Sequence, residues 1–147
     1  MPDPRRVCCT VTAVLAALLQ AGPGAQTQQA EARKPSLSVR VMPPVGFTPL
    51  RVRAAAELRE GSDDYEDYYC ATVEWDWGDG TVSENSSDCD PYAAGKSTIQ
   101  RRYSADHIYR QAGAYRVLFR LKQKTKVVGS TSTNIQVRSG AGEGFGR

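Results

Sequence analysis

The sequence predicts an antiparallel β-sandwich, and three observations carry that expectation. Apolar residues recur at period two in several short segments, no segment shows helical periodicity, and Gly, Pro, Asn and Asp clusters punctuate the chain between them. Composition agrees: 40% hydrophobic and 24% charged residues describe a folded chain, and 147 residues suffice for one domain with its own core.

Residues 1–25 read as a secretory signal peptide. Arg5 and Arg6 form a positive start, residues 7–19 are apolar, and Ala21, Gly22, Gly24 and Ala25 follow as small residues. The apolar run is too short to span a bilayer comfortably, so cleavage is expected rather than anchoring; the cleavage site stays open. Cys8 and Cys9 fall inside the signal and precede its apolar core, where a lipid-modified cysteine would not stand. The mature protein is therefore expected outside the cytoplasm, extracellular or periplasmic, with no membrane anchor. Residues 26–35 are polar and aperiodic, and a flexible leader is expected there.

The domain is expected over residues 36–138. Leu37, Val39 and Val41 alternate with Ser38 and Arg40, giving a first strand that Pro43-Pro44 ends because proline has no ladder donor. Residues 45–49 are expected to be a turn. Leu50, Val52, Ala54, Ala56 and Leu58 then point one way and Arg51, Arg53 and Glu57 the other, a second strand. Residues 59–69 form an acidic, tyrosine-rich loop.

Ala71, Val73, Trp75 and Trp77 are apolar at period two and place both tryptophans of the chain on the buried face of a central strand. Asp79-Gly80 predicts a two-residue type I′ hairpin loop with positive φ at both positions. In that register partners sum to 159 in residue number, as do Cys70 and Cys89, so the cysteines would stand opposite one another if pairing continued. An even pair of cysteines in an exported chain points the same way, to a disulfide. Residues 83–97 are polar and turn-rich, a long loop.

An extended segment ends at His107-Ile108-Tyr109. Tyr115, Val117, Phe119 and Leu121 then alternate with Arg116, Arg120 and Lys122, and a partner strand over residues 126–138 is expected with an irregularity at Gly129-Ser130. Residues 139–147 carry four glycines and read as a flexible tail.

The formal charge of +3 is too small to imply a nucleic-acid partner. Its distribution is uneven: residues 57–90 hold twelve acids against Arg59 alone, and residues 96–138 hold ten bases against Asp106 alone. Either the surface is divided into cation- and anion-attracting parts, or these are the solvated outer positions of strands and loops.

Trp75-Asp76-Trp77-Gly78-Asp79-Gly80, then His107-Ile108-Tyr109, then Gly113-Ala114-Tyr115-Arg116-Val117 resemble, in order, the three sequence blocks of the PKD domain family. That resemblance spans about residues 35–138 and implies an immunoglobulin-like β-sandwich of extracellular proteins, with Trp75, Asp76, Trp77, Gly78, Asp79, Gly80, His107, Tyr109, Gly113, Tyr115 and Val117 as its framework. Trp77 replaces the usual phenylalanine, and the stretch from Gly80 to His107, which carries Cys89, is longer than the family's. Function follows less closely, since such sandwiches serve as spacers and as protein- or carbohydrate-binding units.

His107 is the one histidine, so a Ser-His-Asp or Cys-His centre would need it; no G-x-S-x-G motif accompanies it, and no catalytic residues are expected. Asp76, Asp79, Asp88 and Asp90 are candidate Ca²⁺ ligands, with Asp63, Asp64, Glu66 and Asp67 as a second source, although the spacing is not that of an EF-hand and turn chemistry explains Asp76 and Asp79 better. No cofactor other than Ca²⁺ is indicated. Tyr65, Tyr68 and Tyr69 are a candidate recognition loop or, alternatively, a lid on the core. Asn85-Ser86-Ser87 is a glycosylation sequon.

The function expected from these readings is a secreted, non-catalytic module that binds an extracellular protein or a glycan. The alternatives are a spacer without a ligand and a Ca²⁺-dependent module. The absence of a second domain after the signal tips the expectation towards binding.

Overall fold

The computed structural model describes residues 33–140; the signal segment with Cys8 and Cys9, most of the leader and the end of the tail lie outside them. Eight strands follow in order: β1 (Ser36–Met42), β2 (Val45–Phe47), β3 (Leu50–Arg59), β4 (Thr72–Asp76), β5 (Val82–Asn85), β6 (Arg102–Tyr109), β7 (Gly113–Gln123) and β8 (Lys126–Arg138). They form two sheets, β1-β3-β6 and β2-β8-β7-β4-β5. One turn of 3₁₀ helix, Glu66–Tyr68, interrupts the acidic loop.

The core is the space between the sheets. β3 buries every second residue, with Val52, Ala54, Ala56 and Leu58 almost fully covered while Arg51, Arg53 and Ala55 stay exposed. Opposite it, β4 contributes Val73 and Trp75, β7 contributes Val117, Phe119 and Leu121, and β8 contributes Ile135 and Val137. Each fully buried Val, Leu or Phe stabilises the fold by ~1.5–3 kcal/mol. The alternation in sequence is thus the inside and outside of the sandwich.

The expected turn at residues 45–49 contains a strand, and that strand makes the second sheet mixed. β2 runs parallel to β8, with Val45 opposite Gln136 and Phe47 opposite Arg138. Pro43 and Pro44 cannot donate to a ladder, so the chain leaves β3 at Met42 and crosses to the other sheet. Three residues with no clean alternation gave no strand signal.

The hairpin after β4 also differs from expectation. Asp76 pairs with Val82 and Val73 with Asn85, so partners sum to 158, and residues 77–81 form a five-residue loop closed by the Trp77 amide donating to the Thr81 carbonyl at 3.1 Å. Gly78 and Gly80, not Asp79, take positive φ, at 76° and 90°. Asp79 instead uses its side chain to fasten the loop. In this register Cys70 would face Asp88, but the ladder stops at Asn85 and the free chain brings Cys89 to Cys70, with the Cα atoms 6.1 Å apart.

The β7–β8 ladder holds the anticipated irregularity one position early. Leu121 pairs with Gly129 but Lys122 with Val127, so Val128 is the extra residue of a bulge and turns inward.

Part of the uneven charge of the sequence is paired in space. Glu74 on β4 takes hydrogen bonds from Arg120 and from Lys122 on β7, the latter at 2.8 Å, and Lys122 also reaches Glu84 on β5 at 2.8 Å. Arg101 meets Asp63 at 2.6 Å. Acidic and basic stretches lie side by side because β4 and β7 are neighbours.

Candidate functional site

The three blocks of the resemblance converge on one end of the sandwich. Trp77 is fully buried, stacks on Trp75 at 5.8 Å between ring centres, and on its other side stacks on the His107 ring at 4.6 Å. Its indole N–H donates to Ser83 Oγ at 2.9 Å, which satisfies the one polar atom of that side chain. His107 Nε2 is 2.7 Å from Asp79 Oδ2, and Asp79 Oδ1 accepts from the Thr81 amide at 3.1 Å and from the Thr81 hydroxyl. Burial alone would push the Asp79 carboxyl up; the hydrogen bonds from Thr81 and His107 outweigh it and hold the group below the usual carboxylate range.

Tyr109 closes the cluster. Its hydroxyl donates to the Trp77 carbonyl at 2.8 Å, its ring meets His107 edge-on and stacks on Tyr115 at 4.6 Å. Tyr115 in turn donates to the Gln111 carbonyl four residues upstream, at 3.0 Å, the geometry of a tyrosine corner at the turn between β6 and β7. Gly78 has φ of 76°, and a Cβ there would stand 2.6 Å from the Arg116 carbonyl oxygen. Trp77, Gly78, Asp79, His107, Tyr109 and Tyr115 are thus fixed to one another by packing and hydrogen bonds, and Asp79 is the side-chain partner of the His107 ring nitrogen among the described residues.

The proposed Ca²⁺ ligands are not brought together. Asp76 Oδ1 accepts from the Gly78 amide at 3.1 Å and Asp79 serves Thr81 and His107, while Asp88 and Asp90 belong to the loop that runs back to Cys70, at the other end of β4. Among the described residues no group of three or more His, Cys, Asp or Glu side chains is placed to hold a metal. The aspartates cluster in sequence because β4 and β5 are a hairpin, and the hairpin's length separates them in space.

At that other end the tyrosines divide. Tyr68 is 2% exposed; its ring lies on Gly129 beside the β8 bulge and its hydroxyl is pushed up to about 12 by burial. Tyr65 packs edge-on against Tyr68 at 5.0 Å. Tyr68 is a lid on the core. Tyr69 remains half-buried, donating to the Asp90 carbonyl at 3.0 Å and packing on Tyr92 at 5.7 Å.

The acidic loop is held rather than loose. Gln123 donates to the Tyr69 carbonyl at 2.7 Å, and Arg101 donates to the carbonyls of Leu58, Glu60 and Gly61. Arg33 and Ser62 exchange two hydrogen bonds, so the last residues of the expected leader dock here, where Lys34 also reaches the Val128 carbonyl at 3.0 Å. Ile99, in the polar stretch, is buried and donates its amide to the Asp63 carbonyl. These contacts have no local sequence signal, because each joins residues about thirty or more positions apart.

Between the free edges of β5 and β6 the sandwich opens into a cleft of about 260 Å³. Ala71, Val73, Trp75 and Tyr103 form its apolar floor, and Asn85, Ser87, Gln100 and the disulfide its polar rim. The cleft is thus apolar below and hydrogen-bonding around its rim.

No family model and no curated protein matches the chain. Among solved structures, the chain is similar to the PKD domain of an M14-like peptidase from a Thermoplasmatales archaeon, at 14% identity and a TM-score of 0.48, over 72% of this chain and 98% of that one.

Proposed function

We propose that this chain is a non-catalytic, extracellular binding module that takes its protein or glycan ligand in the cleft at the disulfide end. The observation that carries the reading is the cleft itself: an apolar floor left open between β5 and β6, beside a loop pinned by Cys70–Cys89, Tyr69 and Gln123. Rigid walls lower the entropy that a ligand must overcome. The histidine that a Ser-His-Asp or Cys-His centre would require is committed to stacking and to fastening the hairpin loop. Among the described residues no helix is long and apolar enough to cross a membrane, which is compatible with export.

The test is a glycan array and a pull-down from extracellular fluid with the full chain and with Ser87→Trp and Gln100→Trp, which fill the cleft from exposed rim positions. Binding that is present in the parent and lost in both variants supports the reading. A ligand set unchanged in the variants refutes the site, and turnover of a glycan or peptide that disappears in His107→Ala, with the fold intact, refutes the non-catalytic assignment.

A further inference from the structure

We infer that the outer face of the β1-β3-β6 sheet is a docking surface for a polyuronate, a linear polysaccharide bearing carboxylates. This surface adjoins the cleft across β6, where Ser104 lines both, but the inference rests on the arginines of the outer face and not on the cleft.

The outward positions of the three strands carry Arg40, Arg51, Arg53, Arg59 and Arg102, all exposed, against Glu57 and Asp106. The cations are all arginine, whose planar fork suits carboxylates better than an ammonium does. The face already displays that pairing: Arg53 Nε and Nη2 donate to the two carboxylate oxygens of Asp106, both at 2.9 Å. Arg59 and Arg102 share Glu57, while Arg40 and Arg51 make no salt bridge among the described residues and act only at longer range, on Glu57 and Asp106.

The floor between the arginines is low. Arg40, Ala55 and Ser104 share one cross-strand row, and Ser38, Glu57 and Arg102 share the next. Together they line an open trough of about 380 Å³. Small side chains at Ser38, Ala55 and Ser104 let a chain of sugars lie against the sheet, with serine hydroxyls beneath it and guanidinium groups on either side. Arg40 and Arg102 stand two strands and one row apart, ~10 Å across the sheet and ~7 Å along it, so they can address two carboxylates of one chain.

Other polyanions fit less well. The outward positions of these strands hold no aromatic side chain on which bases could stack, which disfavours single-stranded nucleic acid. They also lack the aromatic anchor of a protein hot spot.

The experiment is retention of the full chain on immobilised polygalacturonate at low ionic strength, where surface charges are least screened. Retention that salt reverses is expected, with affinity falling about tenfold or more in Arg40→Ser/Arg51→Ser and in the charge-neutral Ala55→Trp, which fills the trough. Arg116→Ser, on the other sheet, should bind as the parent does. Thermal melting of each variant confirms that it is folded. The inference is overturned if polygalacturonate does not retain the chain, if uncharged dextran retains it equally, if either trough variant binds unchanged, or if single-stranded DNA competes as strongly as free polygalacturonate.

Discussion

The hydroxyl of Tyr109 donates to the carbonyl of Trp77 at 2.8 Å, joining residues 32 apart in the chain, and it holds β6 of one sheet to the end of β4 in the other. Both atoms are buried. Tyr109→Phe keeps the ring and its stacking on Tyr115 but leaves the Trp77 carbonyl without that donor, so it should cost about 1–3 kcal/mol. Denaturant unfolding should show a lower midpoint with an unchanged slope. A midpoint equal to the parent's would show that the hydrogen bond is replaceable and that ring packing alone ties the sheets together.

Gly78 and Gly80 both have positive φ, but their surroundings differ. A Cβ at Gly80 meets nothing within 4 Å, whereas at Gly78 it would collide with the Arg116 backbone at 2.6 Å. Gly80→Ala should therefore cost only its backbone strain, ~1–2 kcal/mol, and Gly78→Ala should cost that plus a displaced β7, some 1–3 kcal/mol more. Comparison of the two melting temperatures checks the difference. Equal losses would mean that φ, and not the close approach to β7, fixes the glycine.

The disulfide closes a loop with a sequence separation of 19. In the chain-entropy account a loop of that size stabilises by about 3 kcal/mol. Cys70→Ser/Cys89→Ser should lower stability by about that amount while Trp75 and Trp77, buried along β4, keep their near-native fluorescence. The non-reduced chain should lack two hydrogens by mass. A double variant as stable as the parent would place the constraint in Tyr69, Tyr92 and Gln123 instead, which hold the same loop by hydrogen bonds and packing.

What the sequence made legible was what repeats locally. β1 and β3 follow from alternation alone, and the inward tryptophans follow from period two at Val73, Trp75 and Trp77. The Cys70–Cys89 pair was foreseen partly through a register that the hairpin does not adopt: the loop is five residues because the Trp77 amide bonds Thr81 and Asp79 bonds the loop and His107. The cysteines meet because the ladder ends before them. β2 was invisible, since three residues on an edge have no pattern, and its partner Gln136–Arg138 lies far along the chain. Arg101, Gln123 and Ile99 were invisible for a related reason, as each works on backbone brought near by the fold. The acidic run read as a surface feature, yet Glu74 answers Arg120 and Lys122, which only the β4–β7 pairing could reveal.

That pairing makes stability depend on pH with a definite sign. Hydrogen bonds from Lys122 and then Arg120 hold the Glu74 carboxyl below its ordinary value of 4.5, outweighing the opposite effect of burial. In the unfolded chain the group returns to its ordinary value, so over the window just below 4.5 the unfolded state binds more protons than the folded one. The contribution is complete above that value and is lost as pH falls through the lowered folded value. Asp79 has the same sign, its carboxyl being held down by Thr81 and His107 against burial. The parent should therefore melt at progressively lower temperature on acidification, whereas Glu74→Gln should start lower at neutral pH, decline less steeply, and converge with the parent once both carboxyls are protonated. The difference should be modest, because water reaches the outer face of the sheet and screens the pairs. Melting curves recorded by circular dichroism from neutral to acid pH decide it: parallel declines for parent and variant would show that the Glu74 cluster contributes nothing to the acid limb, leaving Asp79 with the loop it fastens, and the arginine-paired Glu57 and Asp106, as the acid-sensitive groups.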